Sequence, residues 1–500
     1  MAERSFPPGL TSLPLVVAAA ALAHVAWGLP TNLRISLAVN LGLSVLGYMA
    51  TSSIVATLGP TFVKANLRGI DLNKETTKRD ANGVLVRPIE GIPIPESQGT
   101  VTAAVYILVL SVFIPFAFAS YELDRFPHAE MAEYLAAVLT ITFASFMGFA
   151  DDVIDLRWRY KIPIPFLATL PLLSVYYANG NHTGVMVPNQ LRWLFGDFVE
   201  LGFGFYLFLL WLAVFSTHAI NIYAGVNGLE VGQSVVIAAS VLVLNIVQLF
   251  RIPEEFKEYR ESHVQSIFLM VPFLAVSLSL LRLNWFPAKV FVGDTYCYFA
   301  GMTFAVVSIV GHFSKTMVLF LIPQLLNFLY SCPQLFPFIG IPCPRHRMPN
   351  FNASDGTVCN SFAEFNPDDL KPLGKLIFVV LKSLRLVRVC SGPDGKVQMS
   401  NLTLINFVLY VFGPCREDVL CCRLLAIQVL SSLLCFSLRF GLASYLFDVV
   451  LWCSPLPERC SPDVIWKRCP MLWAEWLWIC RPEVCCKILW AQFIGKFFFK

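Results

Sequence analysis

"YLAAVLTITFASFMGFADDVIDLRWRYK", residues 134–161, decides how the rest of the chain is read. An apolar run of membrane-span length leads straight into two adjacent carboxylates, Asp151 and Asp152, and the cations Arg157, Arg159 and Lys161 follow within nine residues. In hydrocarbon every backbone N–H and C=O must be satisfied internally, which about 20 apolar residues achieve as one helix across the bilayer. The charges then stand at the mouth of a span, where an ionisable side chain facing a cavity is a functional candidate. Read alone, the same pair is an interfacial helix cap paired with Arg157 or Arg159.

Composition extends this reading to the whole chain. Of 500 residues, 56% are hydrophobic and 14% charged, with mean hydropathy +0.65, whereas soluble domains carry roughly 25% charged residues. A net charge of +4 spread over many loops gives no basic footprint for nucleic acid, and no nucleic-acid partner is expected. The fold class is therefore an all-α polytopic membrane protein. Span-length apolar runs fall at 36–60, 100–119, 133–150, 163–178, 201–220, 234–250, 264–282, 296–311, 316–338 and 424–450, which makes about ten transmembrane helices.

Parity puts the connections 61–99, 151–162, 221–233, 283–295 and 339–423 on one face. That face collects "DLNKETTKRD", "DDVIDLRWRYK", "NIYAGVNGLEVGQ", "NWFPAKVFVGDT" and "CPRHRMPN", so a single composite site is expected there. Lys and Arg are also richer on it, and basic loops stay in the cytosol. The sequon at Asn181 is then lumenal, whereas those at Asn352 and Asn401 are cytosolic and should carry no glycan. The expected division is an N-terminal extension (1–35), a nine-helix catalytic core (36–338), a small mixed cytosolic loop domain (339–423), a tenth helix (424–449) and a Cys/Trp-rich tail (450–500). Within the loop domain, "LVRVCSGPDGKVQMS" reads as a hairpin around Pro-Asp-Gly, and "LINFVLYVFG" as a short segment at the membrane surface.

The motif face offers hard oxygen donors (Asp151, Asp152, Asn221, Asn227, Asp294), cations (Lys161, Arg345, Arg347), His346 and several glycines. Mg²⁺ takes few protein oxygens and fills its shell with substrate phosphate and water, while Arg forks grip phosphate. A metal-bound phosphorylated substrate fits this inventory, and zinc ligation fits poorly. Each motif also has a plainer reading: "AGVNG" as a turn, "GDT" as a helix N-cap, and Arg345 to Arg347 as an anionic-lipid contact. A ten-span transporter would need charges at mid-membrane and an internal repeat, which are not seen.

Five ordered stretches, "IPESQG", "GFADDVIDLRWRYK", "THAINIYAGVNGLEVGQ", "FVGDTYCYFAGMTFAVVSIVGHFSK" and "PQLLNFLYSCPQL…IPCPRHRMP", together resemble the eukaryotic UDP-N-acetylglucosamine–dolichyl-phosphate N-acetylglucosaminephosphotransferase family, in the polyprenyl-phosphate sugar-1-phosphate transferase superfamily. The resemblance implies an endoplasmic-reticulum membrane enzyme, a homodimer, with UDP-GlcNAc and dolichyl phosphate as substrates and Mg²⁺ as cofactor. It implies Asn221 and Asp294 as metal ligands and Lys161 at the acceptor phosphate. Arg345 and Arg347 would grip pyrophosphate and sugar, with His346 ordering their loop. Ile70, Asp71, Leu72, Glu96 and Asn227 would hold the uridine end, and Val214, Phe215, Ser216, Thr217, His218, Ala219, Ile220, Asn221 and Ile222 would line the lipid-phosphate groove. Asp151 and Asp152 would either orient Lys161 and tune the metal, or supply a general base. A phosphomonoester is already largely dianionic at neutral pH, which favours the first role.

Three regions depart from this pattern. The first 30 residues add an apolar stretch that reads as a cleaved signal, a marginal span or a neutral extension. Residues 75–93 lengthen the loop after "DLNK" and blur the register around Ile70. The tail holds 6 of the 15 cysteines and 6 of the 11 tryptophans; it suits an interface-lying segment or an erroneous or alternatively spliced terminus, and no function is assigned to it.

Overall fold

The computed structural model describes residues 31–72, 77–78, 89–118, 126–181, 183–252, 256–336, 338–342, 348–392 and 396–442. Residues 1–30 of the N-terminal extension, the centre of the inserted loop, Arg345, His346, Arg347 and the tail lie outside the described residues, while residues 31–35 of the extension already belong to the first helix.

The expected spans form in the expected order. They are α1 (Thr31–Lys64), α2 (Gly99–Ala117), α3 (His128–Ile154), α4 (Ile164–Ala178), α5 (Phe203–Ile222), α6 (Leu229–Arg251), α7 (Lys257–Asn284), α8 (Gly293–Val310), the pair α9 (Ser314–Phe320) and α10 (Ile322–Leu335), and, after two helices of the loop domain, the last span. Among the described residues nine helices are long and apolar enough to cross a membrane, and the α9/α10 pair, bent by 66°, makes ten if counted as one span. Pro323 in the first turn of α10 lacks the N–H that would continue α9, which explains where the bend falls.

Several helices outrun their apolar windows on the motif face. α3 continues through Asp151 and Asp152 to Ile154, and α6 starts at Leu229, inside "GLEVGQ". Helical hydrogen bonding does not stop where the lipid does, so the motif carboxylates are borne on rigid helix ends. α3 ends on Asp155, which adopts the left-handed conformation at φ 53° and returns its N–H to the Asp151 carbonyl. A short polar side chain tolerates that cap, which gives Asp155 its structural role.

α7 and α8 are almost wholly buried and form the centre. Close crossings depend on glycine: a Cβ at Gly301 of α8 would lie 2.4 Å from the Thr217 Cα of α5, and one at Gly99 of α2 would lie 2.4 Å from the Tyr296 nitrogen. α8 is thus a central post whose N-terminus opens on the motif face.

Two small devices shape that face. Strands β1 (Arg68–Ile70) and β2 (Pro93–Pro95) pair antiparallel with Ile70 opposite Pro93, which resolves the register that the insertion blurs. β2 is then clasped to the loop before α8, since Phe291 N–H donates to the Pro95 carbonyl (2.8 Å) and Gly99 N–H to the Val292 carbonyl (2.9 Å). On the opposite face β3 (Gly184–Met186) pairs with β4 (Phe198–Glu200).

The loop domain is mixed, as expected. It contains the hairpin β5 (Asn350–Asn352) and β6 (Thr357–Cys359), a three-stranded sheet of β7 (Phe362–Phe365), β8 (Val389–Ser391) and β9 (Val397–Ser400) in the order β7–β9–β8, and α11 (Pro372–Ser383). The antiparallel β8–β9 pair supplies the two arms of the expected hairpin, and its Pro-Asp-Gly turn, 393–395, lies outside the described residues. α12 (Leu404–Phe412) holds the "LINFVLYVF" segment and buries Ile405, Val408 and Leu409, while Val411 and Phe412 stay exposed. The last span, α13 (Glu417–Ser437), begins earlier than its apolar window.

Candidate active site

The site grows from the N-terminus of α8. Gly293 takes φ +72°, and a Cβ there would lie 2.4 Å from the Asp152 carboxylate, so glycine is required. Asp152, reaching across from α3, accepts hydrogen bonds from the Asp294 N–H (2.6 Å), the Thr295 N–H (3.2 Å) and the Thr295 hydroxyl (2.5 Å). A carboxylate on the free N–H groups of a helix N-terminus is the favoured cap. Both plain readings are therefore half right: "DD" does cap a helix, but a different one from its own, and "GDT" does open a helix without supplying the cap.

Because Asp152 does the capping, the Asp294 side chain is released to face its neighbours. Lys161 Nζ lies 2.9 Å from Asp294 Oδ2 and 3.0 Å from Asp151 Oδ1, and Asn221 Nδ2 donates to Asp294 Oδ1 at 2.7 Å. Asp151 also accepts the Leu156 N–H at 3.1 Å. Lys161, Asp151, Asp294 and Asn221 thus form one cluster from three helices and the turn after α3. Removing one partner from such a half-buried charge group leaves the others uncompensated, at about 3–5 kcal/mol.

Beside the cluster opens a cavity of about 300 Å³. It is lined by the residues expected at the uridine end, Ile70, Asp71, Leu72, Glu96 and Asn227, and by Asn221 and Asp294. Asn227 is latched three ways: its Nδ2 donates to Asp71 Oδ2 (2.7 Å), its N–H donates to Glu417 Oε1 (2.7 Å), and the next N–H, of Gly228, donates to Asn284 Oδ1 (3.1 Å). Sequence reading missed Glu417, Asn284, Glu230 and Phe291 in this wall. Glu417 sits 190 residues from Asn227, and only its place ahead of an apolar run marked it out.

The lining is strongly acidic. Among the described residues it holds five carboxylates, Asp71, Glu96, Glu230, Asp294 and Glu417, and no Lys or Arg. Burial, then the carboxylates of Asp152 and Asp294, push the Glu96 carboxyl above its usual range. An anionic ligand enters such a cavity only with its own counter-charge. The donor set fits a hard divalent cation: among the described residues no three acidic, His or Cys side chains converge as metal ligands, so an ion on Asp294 and Asn221 would take the rest of its shell from substrate oxygens and water. The Asn221 amide turns its nitrogen to Asp294 here, and rotation of that amide presents its oxygen to a cation instead.

Of the stretch expected to line the lipid-phosphate groove, Phe215, Asn221 and Ile222 reach partly exposed surface. Val214, Ser216, Thr217, His218, Ala219 and Ile220 are buried in the wall behind it, with the Ser216 and Thr217 hydroxyls donating to carbonyls of their own helix. The His218 ring lies between those of Trp158 and Tyr298, 5.7 Å from each.

A bundle of apolar helices with a charged, half-buried cluster and an acidic cavity at one end defines a polytopic membrane protein with a polar site on one face. Residues 134–312 match the family description Glycosyl transferase family 4. The UDP-N-acetylglucosamine–dolichyl-phosphate N-acetylglucosaminephosphotransferase of Saccharomyces cerevisiae is 40% identical over 82% of this chain and 93% of its own. The protein of the same name from Schizosaccharomyces pombe is 40% identical over 82% and 93%, and that from Dictyostelium discoideum 41% over 78% and 86%. The chain belongs to this family of dolichyl-phosphate N-acetylglucosaminephosphotransferases.

Proposed function

We propose that the protein transfers GlcNAc-1-phosphate from UDP-GlcNAc to dolichyl phosphate, giving GlcNAc-pyrophosphoryl-dolichol and UMP, the first step of dolichol-linked oligosaccharide synthesis for N-glycosylation. We assign it to the endoplasmic-reticulum membrane, as a homodimer, with the site facing the cytosol and Mg²⁺ as cofactor. The observation that carries the reading is Lys161 held between Asp151 and Asp294 at the end of the cavity lined by Asp71, Glu96 and Asn227.

The chemistry is a meeting of two anions, so positioning and charge compensation carry most of the catalysis. Lys161 is the acceptor-phosphate cation, and the two carboxylates flanking it fix its ammonium. An acceptor oxygen bonds to the β-phosphorus as the bond to the α-phosphate oxygen breaks, and UMP leaves with that oxygen. The acceptor has little proton to lose. Asp152 accepts three hydrogen bonds and Asp151 is paired with Lys161, which supports positioning roles for both over a general base. Mg²⁺, when bound, would neutralise the pyrophosphate; Asp294 and Asn221 are the residues to hold it, and Arg345 and Arg347 would add counter-charge at the sugar end.

The test is transfer of radiolabelled GlcNAc-phosphate from UDP-GlcNAc to dolichyl phosphate by purified protein. Magnesium-dependent lipid product, abolished by EDTA and restored by added Mg²⁺, is expected; a silent protein that still binds UDP-GlcNAc overturns the reading. Orientation has its own check. A glycan on Asn181 and none on Asn352 is expected; Asn401 is uninformative, being fully buried and bonded to Ser361.

A further inference from the structure

At the end of the bundle away from the phosphate cluster, α3, α4 and α7 and the turn after α8 enclose a second cavity, of about 240 Å³, with Glu130, Glu133, Glu258 and Glu261 in its wall beside Asn179 and Gln265. Glu133 lies eighteen residues before Asp151 on one helix, about 27 Å away at 1.5 Å per residue, so this cavity is separate from the site above. Glu130 and Glu258 stand in first helical turns, where acids complement the helix dipole without any ligand. Glu133 has no such explanation. Its side chain belongs to a residue only 9% exposed, and its Oε1 has no hydrogen-bond partner.

A buried carboxyl left without a partner is costly unless something charged or donating meets it. Of the nearby cations, Lys257 pairs with Glu261 of the wall itself at 3.5 Å from a 75% exposed position, and Arg260 donates to the Ile252 carbonyl at 3.1 Å; the His312 ring also stands in the wall. Among the described residues no three acidic, His or Cys side chains converge as they would around a metal ion, and the cavity, about 240 Å³, is far larger than a single ion fills. The carboxylates are distributed, so the matching cation is larger than an ion and brings its own N–H donors.

We propose that this cavity binds an alkylammonium group, its N–H donors on the Glu133 carboxylate and its chain running toward Glu258 at the mouth. A free polyamine and the ethanolamine headgroup of a phospholipid in the adjoining leaflet present the same chemistry.

The full-length protein, purified in detergent at constant Mg²⁺ and ionic strength, is titrated with spermidine or with choline and its Tm followed; a parallel set uses phosphatidylcholine nanodiscs with and without phosphatidylethanolamine. A saturable rise in Tm with spermidine or phosphatidylethanolamine but not with choline, which has no N–H, is expected. Glu133→Gln should weaken half-saturation by about tenfold, the scale of one charged hydrogen bond. Glu258→Gln, at an exposed position where folding is not at risk, should weaken it less. A response to spermidine alone assigns a soluble ligand, and one to phosphatidylethanolamine alone a lipid. Absence of any shift, an equal shift with choline, or a shift unchanged in both variants overturns the proposal.

Discussion

The two halves of the candidate site are built on different principles. Around Lys161 the work is done by side-chain charge carried on helix ends: Asp151 and Asp294 converge from two helices on one ammonium, and Asn221 from a third donates to Asp294. Around Asn227 it is done by loop backbone held in shape, with Asp71, Asn284 and Glu417 as latches from three separate segments. The first half is suited to changing the energy of a charge; the second is suited to recognising a shape. Variants in the two halves should therefore fail in different kinetic constants.

The largest effect is expected from Asp294→Ala, which removes the carboxylate shared by Lys161, Asn221 and the proposed metal. Its kcat for transfer to dolichyl phosphate should fall by about 10³-fold or more. A loss confined to KM would place Asp294 with the nucleotide half instead. Lys161→Arg keeps the charge but exchanges a compact ammonium for a longer planar fork, whose charge centre lies away from the point that Lys161 Nζ holds between Asp151 and Asp294. A fall in kcat of about 10²-fold is expected from such misplacement, and near-normal turnover would show that charge alone suffices.

In the other half, Glu417→Ala should raise KM for UDP-GlcNAc by about tenfold with kcat within about twofold, because it frees the Asn227 backbone. Glu417→Gln should recover most of the loss, since its carbonyl can still accept that N–H. Equal failure of both variants would point to general damage to α13. The smallest effect tests the hinge between the halves: Asp152→Ala removes the cap of α8 and should lower stability by about 1–2 kcal/mol, read as a drop in Tm, with a secondary loss of kcat as Asp294 shifts.

Much of this was legible in the chain. Among the described residues the apolar windows translate into nine helices of span length and one bent pair, because backbone polarity in lipid is satisfied within a helix, and parity alone gathers the motifs on one face. The strands on either side of the Pro-Asp-Gly turn follow the same local logic. What local logic does not carry is partnership across distance. Asp152 and Asp294 are 142 residues apart, and nothing in "DD" or in "GDT" says that one caps the helix of the other and so frees its carboxylate. The burial of most of 214–222 likewise depends on Gly301 letting α8 approach Thr217 at backbone contact.

By itself, then, the sequence determined the class of fold, the face that gathers the polar motifs and the residue types of the charged cluster there, because period, hydropathy and side-chain type are properties of short stretches. Only the tertiary structure decided which carboxylate caps and which ones hold Lys161, that the last span reaches back through Glu417 to the Asn227 loop, and that a second acidic cavity exists at the far end. Those are outcomes of which distant helix ends meet, and packing in three dimensions, not spacing along the chain, brings them together.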